Sequence, residues 1–98
     1  MKLLPETLIR RFPHWGAFKH KNFADITVLC KFYLPGTCRE WYPIEYDRID
    51  EFFGVIRDEQ GTRLAYFTLE QLFQKKGPMR TKVIRDKWFS SCKLIDLM

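Results

Sequence analysis

Apolar and polar residues alternate through the middle of the chain with the two-residue period of β-strands. Every second residue from 26 to 34 is apolar, and a second alternating run covers residues 41–47. Residues 35–37, which include a proline and a glycine, predict a turn between the two runs, so the pattern indicates a β-hairpin. Pro43 cannot donate a backbone hydrogen bond, which predicts either an edge position or a bulge in the second strand.

Two further strands and two short helices complete the predicted elements. The strands are expected over residues 52–57 and 62–67. Thr68 and Gln71 have the spacing of a capping box, which predicts a helix directly after the fourth strand, and an earlier helix is expected within residues 3–12. The predicted fold is therefore α+β, an antiparallel meander of four to five strands with two short helices, in which the C-terminal tail adds the last strand or packs over the sheet.

Composition favours one globular domain over residues 1–98, because 46% of the residues are hydrophobic and 16% are aromatic. Residues 13–25 are expected to form a loop anchored by aromatic side chains. The three cysteines have no paired spacing and no leader-like segment precedes them, which favours the reducing cytoplasm. No apolar run approaches the roughly 20 residues that span a bilayer, so no membrane role is expected.

Basic residues are concentrated at both ends of the chain. Residues 1–21 carry five basic and one acidic side chain, residues 22–74 five and nine, and residues 75–98 seven and two. If the ends lie together, they form one positive surface for an anionic partner; simple solvation of two loop-rich ends is the alternative. The tail also holds Trp88 and Phe89 but matches no recognised nucleic-acid motif. Its candidate nucleic-acid-binding residues are Lys75, Lys76, Arg80, Lys82, Arg85 and Lys87.

A patch of aromatic and charged side chains is predicted on one face of the first hairpin. A turn near residues 35–38 is expected to place position 33 opposite position 41. That register brings Lys31, Tyr33, Trp41 and Glu45 to the same outward face. The face is either exposed, as a protein-binding hot spot, or covered by the N-terminal helix or the tail, with Lys31 and Glu45 as a cross-strand pair.

No sequence motif predicts catalysis, a metal or a cofactor. The acidic residues between 45 and 59 fit no calcium loop. His14, His20 and the cysteines lack the paired spacing of a zinc site. A nucleophilic role for Cys38 or Cys92 would need a base beside the thiol. We therefore expect a protein that is not an enzyme and needs no cofactor.

Short runs spread over nearly the whole chain carry a family resemblance. They are KLL at 2–4, KFY at 31–33 with Pro35, WYPIEYD at 41–47, FFG at 52–54, YFTLEQL at 66–72, GP at 77–78, and RD at 85–86 followed by Phe89. In this order they resemble the domain of unknown function family numbered 2958. The chain departs from the family pattern at Ala65 and Ile84, where a glycine and a glutamate are usual, and the second departure removes a carboxylate from a Glu-Arg-Asp cluster.

Members of that family are small proteins often carried by conjugative plasmids and integrative elements. The resemblance therefore implies an accessory protein of a mobile genetic element without supplying an activity. The expected function is non-catalytic binding through protein–protein contact, in its sharpest form interference with a host defence or nucleic-acid-processing complex. The alternative is a nucleic-acid-binding accessory protein that uses its basic N- and C-terminal segments.

Overall fold

The computed structural model describes residues 4–13 and 25–97, so most of the predicted aromatic loop, with His14 and His20, lies outside the described residues. Within them are two short α-helices, seven strands and two single turns of 3₁₀-helix. The elements are α1 (Glu6–Ile9), β1 (Thr27–Val28), β2 (Phe32–Tyr33), β3 (Glu40–Tyr46), β4 (Glu51–Asp58), β5 (Gly61–Thr68), α2 (Leu69–Gln74), β6 (Ile84–Arg85) and β7 (Cys92–Lys93), with 3₁₀ turns at Pro78–Arg80 and Leu94–Asp96.

Five of these strands form one antiparallel sheet in the order β5-β4-β3-β2-β6. Strands β2 to β5 are a meander, and β6 from the tail pairs with the other side of β2. Strands β1 and β7 pair in a separate two-stranded sheet. The predicted α+β fold, with an antiparallel sheet and two short helices, is confirmed.

The first alternating run is divided between two strands instead of forming one. Val28 in β1 packs in one core cluster, whereas Cys30 and Phe32 pack in the other. The division falls at Leu29, where the polar–apolar alternation of the run is broken. The chain therefore passes from the small sheet to the large one within a single stretch of predicted strand.

Pro43 lies at a bulge in β3, as its missing backbone donor predicts. The pairing of β3 with β4 shifts between Pro43 and Glu45. Strict alternation would place Tyr46 on the same face as Ile44, but the extra residue turns Tyr46 to the opposite core cluster. The bulge thus lets one strand supply large side chains to both faces of the sheet.

Both faces of the large sheet are covered, which explains why six of the seven residues of β3 are buried. On one face, Phe52 stacks between Tyr46 and Phe67, with ring centroids 4.5 Å and 5.3 Å away. Residues of α1, α2 and the N-terminal region pack over this cluster; they include Leu4, Leu8, Phe12 and Leu72. The other face packs against the small sheet and the C-terminal 3₁₀ turn through Ile26, Val28, Ile44, Val55 and Leu94.

The predicted capping box begins α2. Thr68 Oγ1 accepts a hydrogen bond from Gln71 N, and Gln71 Oε1 accepts one from Thr68 N, both at 3.0 Å. Leu72 anchors the helix in the core. The helix ends at Gln74 because Lys75 adopts an extended conformation, and the chain then enters the basic tail.

Candidate functional site

The predicted patch on the first hairpin does not form, because the hairpin register differs by one residue from the expected one. Leu34 N donates to Arg39 O at 3.2 Å, so the loop has four residues, whereas pairing position 33 with position 41 would need five. Phe32 consequently lies opposite Trp41. A shift of one residue turns every side chain of a strand to the other face.

The four residues proposed for that patch are divided between the core and a charged cluster. Trp41 is 4% exposed and Glu45 is 5% exposed, so neither can form a surface hot spot. Lys31 and Tyr33 are half-buried on the opposite face from Trp41, where Lys31 pairs with Glu40. The predicted outward face shared by Lys31, Tyr33, Trp41 and Glu45 is therefore wrong.

A network of charged and phenolic side chains joins β3 and β4 to the segments beside β2 and β6. Lys31 Nζ lies 2.9 Å from Glu40 Oε2 and 4.0 Å from Asp86 Oδ2. Tyr42 Oη donates to Glu40 Oε1 at 2.9 Å, and Arg57 Nη1 lies 3.6 Å from the same oxygen. The network holds two cations and two carboxylates and fastens the tail to the sheet at Asp86. Sequence reasoning missed it, although a four-residue hairpin loop would have placed Glu40 beside the residues of β2.

The network shifts the protonation of its members. Burial alone would raise the pKa of Glu40, but hydrogen bonds from Lys31 and Tyr42 and the charges of Lys31 and Arg57 hold it below its ordinary value of 4.5. Burial would lower the pKa of Lys31, but its hydrogen bond to Glu40 and the surrounding charges raise it. Both carboxylate and ammonium are therefore charged at neutral pH.

The lowered pKa of Glu40 makes stability depend on acid pH. A carboxyl group with a depressed folded pKa contributes stability above its unfolded pKa and loses that contribution as the pH falls through the folded value. Between about pH 5 and about pH 3 we expect the Tm of the wild type to fall more steeply than that of Glu40→Gln. Circular dichroism melts across this range measure both slopes. Glu70→Gln, at an exposed carboxylate of α2, is the matched control; equal slopes for wild type and Glu40→Gln would contradict the expectation.

Most of the basic residues of the tail are exposed, and they lie on β6 or in the segments before and after it. An isolated β-bridge pairs Lys76 with Lys82 and folds the intervening loop back on itself. The chain then runs through β6, antiparallel to β2. We call the six residues the basic strip: Lys75, Lys76, Arg80, Lys82 and Lys87 are exposed, and Arg85 is half-buried. The structure thus places Lys82, Arg85 and Lys87 on or beside β6, Lys76 and Arg80 in the preceding loop, and Lys75 at the end of α2.

The loop at the start of the basic strip is fixed against the first hairpin. Gly77 N donates to Thr81 O at 2.9 Å, and Thr81 Oγ1 donates to Pro35 O at 3.1 Å. A Cβ atom on Gly77 would lie 2.9 Å from Pro35 O, so only glycine fits there. Met79 and Arg80 both have left-handed backbone angles, with φ of 57° and 61°, which few residues other than glycine adopt. This conformation leaves Met79 97% exposed beside the cation of Arg80.

An exposed indole lies at the far end of the basic strip. Asp86 Oδ1 accepts a hydrogen bond from Trp88 N at 2.9 Å, which forms a tight turn after β6. Phe89 packs against Tyr42 with ring centroids 5.9 Å apart, whereas Trp88 is 93% exposed. Trp88 therefore lies next to the exposed ammonium group of Lys87, with its ring available for contact.

The cations of the basic strip differ from those of the sheet in their ion pairing. In the part of the chain that the structure describes, the cations in ion pairs are Lys31, Arg39, Arg57 and Arg63, all before residue 75. Burial raises the pKa of Cys30 to about 12, and the charges of Arg85 and Arg11 oppose that rise.

A cleft of about 580 Å³ lies between β5, α2 and the first hairpin, and Lys75 of the basic strip also lines it. Trp41 and Phe67 contribute buried apolar surface to it. Charged side chains at its rim are paired: Arg39 Nη2 lies 3.2 Å from Glu59 Oε1, and Arg63 contacts both oxygens of Asp58 at 3.0 Å and 3.1 Å. The cleft combines buried aromatic side chains with a polar rim that holds two ion pairs and Lys75.

The thiols of the three cysteines have pKa values above their ordinary range. Burial raises the pKa of the Cys92 thiol as well as that of Cys30, and at Cys38 the nearby Glu59 carboxylate adds to the rise. Because the thiolate is the nucleophile, these shifts disfavour cysteine chemistry. Among residues 4–13 and 25–97, no three His, Cys, Asp or Glu side chains cluster as metal ligands.

Comparison with known proteins returned no matching family model, curated protein or solved structure. The resemblance to family 2958 accordingly stays a prediction from the sequence runs. In the described part of the chain, no helix is both long enough and apolar enough to cross a membrane.

Proposed function

We propose that the protein binds nucleic acid through the basic strip and performs no chemistry on it. The supporting observation is that the cations of the strip have no ion-pair partner among the described residues and lie on the loop and strand that lead to the exposed Trp88. Phosphate neutralisation by lysine and arginine supplies most sequence-independent affinity for nucleic acid. Stacking of a base on an exposed aromatic ring adds to it where bases are unpaired.

The dimensions of the strip suit the backbone of one nucleic-acid strand. Extended chain rises about 3.3 Å per residue, so residues 82–87 cover at most about 17 Å. This length holds Lys82, Arg85 and Lys87, so roughly three phosphates of one strand can each meet a cation. A single-stranded backbone can follow the edge while a base reaches Trp88, which favours single-stranded targets.

The acidic side chains of the sheet do not oppose this contact. Asp58 and Glu59 lie in the β4–β5 turn, at the opposite edge from β6, and both are paired with arginines. Glu40 and Asp86, which lie nearer the strip, share the cation of Lys31. Binding along the β6 edge therefore avoids unpaired carboxylates that would repel phosphate.

Removing two charges of the strip is expected to weaken binding and its salt dependence. For Lys76→Gln with Arg80→Gln, the slope of log affinity against log salt should fall by roughly 1.4 to 1.8, because each lost phosphate contact accounts for about 0.7 to 0.9. Fluorescence titrations with labelled single- and double-stranded DNA and RNA, from low salt to about 0.2 M, measure the slope. In the same assay, Trp88→Ala should weaken single-stranded binding more than double-stranded binding.

The matched control removes two ion-paired charges outside the strip, Arg39 in the first hairpin and Arg63 in β5. Arg39→Gln with Arg63→Gln changes the net charge by the same amount but should leave the slope near that of the wild type. Equal losses for the two double variants would mean that affinity follows net charge alone and would contradict a defined strip. A wild-type protein that binds none of the four nucleic acids at low salt would overturn the proposal.

A protein partner is the second candidate function, and the cleft between β5 and α2 favours it, because protein interfaces combine buried aromatic side chains with a polar rim. In this proposal the partner occupies the cleft rather than the first hairpin. The role of the protein in a mobile genetic element, including interference with a host complex, rests on the family resemblance and stays a proposal.

A further inference from the structure

The loop 77–81, which precedes β6, holds large side chains in backbone conformations that favour glycine. Arg80 N donates to Gly77 O at 3.1 Å, so these four residues form a turn with Pro78 second and Met79 third. Met79 has a φ of 57° and a ψ of 30°. A positive φ directly after a proline is typical of type II turns, whose third residue is usually glycine or asparagine.

A second turn overlaps the first. Thr81 N donates to Pro78 O at 3.2 Å, and the two residues between them, Met79 and Arg80, have φ of 57° and 61°. Two successive positive φ values are typical of type I′ turns, in which asparagine and glycine are favoured at both positions. Larger side chains cost stability in both turns, and backbone strain of this kind is concentrated at functional sites.

Contacts with the first hairpin hold the strained loop in one position. The ring of Pro78 lies over Gly36, where an added Cβ would be 3.2 Å from Pro78 Cγ. The hydrogen bond from Thr81 Oγ1 to Pro35 O fastens the end of the loop to the same hairpin. A side chain on a fixed loop loses less conformational freedom when it binds, so more of the free energy of the contact contributes to affinity.

Met79 and Trp88 lie beyond opposite ends of the segment that forms β6. Residues 81–86 run antiparallel to residues 31–35, with hydrogen bonds at both ends of the pairing. Met79 precedes this segment and Trp88 follows it. They are 97% and 93% exposed, more than any other large hydrophobic side chain in the described part of the chain.

We propose that Met79 packs against a base of single-stranded nucleic acid while Arg80 binds an adjoining phosphate. This inference rests on the proposed function and adds a base contact at the end of the basic strip remote from Trp88. A thioether packs favourably against aromatic rings, and every nucleobase offers an aromatic face. The Arg80 guanidinium is exposed and forms no ion pair among the described residues, so a phosphate can reach it.

Affinity measurements on two oligonucleotides separate the base contact from the phosphate contact. One is an oligothymidylate of about 12 nucleotides, and the other is the same sugar–phosphate chain without bases. Met79→Ala should weaken binding to the first about twofold to tenfold with an unchanged salt slope, and should bind the second like the wild type. Arg80→Gln should weaken binding to both and lower the slope by about 0.7.

Three further variants control for size, position and strain. Met79→Leu keeps a large apolar side chain and should retain most of the affinity for oligothymidylate. Ile49→Ala removes a side chain that is 84% exposed outside the basic strip, and should leave the affinity unchanged. Met79→Gly relieves the strain of both turns, so it should raise the Tm while weakening binding as Met79→Ala does.

The outcomes distinguish this inference from the proposed function. If Met79→Ala binds oligothymidylate as tightly as the wild type, or loses equal affinity for the chain without bases, the base contact is wrong and the proposed nucleic-acid binding stands. A loss as large for Ile49→Ala would also overturn the base contact. A wild type that binds neither oligonucleotide at low salt would overturn both proposals.

Discussion

Replacing Trp41 with alanine is expected to destabilise the protein by about 3–5 kcal/mol. The indole is 4% exposed and packs in the cluster that contains Phe32 and Leu72. Its removal leaves a cavity between the first hairpin and α2 that the surrounding strands cannot close, because backbone pairing on both sides fixes β3. The loss is measured as the change in the free energy of unfolding in urea, followed by circular dichroism.

Trp88→Ala is the matched control for Trp41→Ala, because it deletes the same side chain at a position that is 93% exposed. Its effect on stability should stay within about 0.5 kcal/mol. The comparison tests the hairpin register directly. If Trp41→Ala were as stable as Trp88→Ala, the observed register would be wrong, and Trp41 would face outward with Lys31 and Tyr33.

Replacing Gly54 with alanine is expected to cost about 3 kcal/mol or more. Gly54 lies opposite Pro43, where β3 bulges toward β4. A Cβ atom at this position would contact Tyr42 O and lie 2.8 Å from Pro43 Cα. Both obstacles are backbone atoms of a paired strand, so the clash can be relieved only by separating β3 from β4. Chemical denaturation measures the loss.

Gly61→Ala separates this steric effect from the ordinary cost of losing a glycine. Gly61 has a φ of +112°, but no atom lies within 4 Å of an added Cβ. Its replacement should therefore cost only the backbone strain, about 1–2 kcal/mol. If Gly54→Ala proved no more damaging than Gly61→Ala, the close approach of the two strands at the bulge would be wrong.

The features of the fold that the sequence predicted depend on residues close together in the chain. The capping box of Thr68 and Gln71 needs only residues within one turn, and the bulge follows from the missing donor of Pro43. The hairpin register was not predictable in this way. Loops of four and five residues fit the sequence around Pro35 equally well, yet they place Trp41 on opposite faces of the sheet.

The sequence predicted which basic residues belong to the candidate site, but it did not predict which charged residues form ion pairs. The concentration of basic residues after position 75 is visible in the sequence, and the structure exposes most of them. Ion pairing is different, because Lys31, Glu40 and Arg57 meet only once three strands are in register. The burial of β3 was not predictable from the sequence either. Strict alternation predicts one buried face, but other elements cover both faces of the sheet, so Glu45 is buried as well.

Strands β6 and β7 of the tail pair with β2 and β1, which lie far before them in the sequence. These long separations affect the order in which the strands pair during folding. Strand β7 joins Thr27 to Lys93, 66 positions later in the sequence, while the hairpins of β3, β4 and β5 involve near neighbours. Because loop closure over such separations is slow, we expect the meander to form before the tail docks. During synthesis on the ribosome, we therefore expect the pairing of β6 with β2 to complete the sheet last.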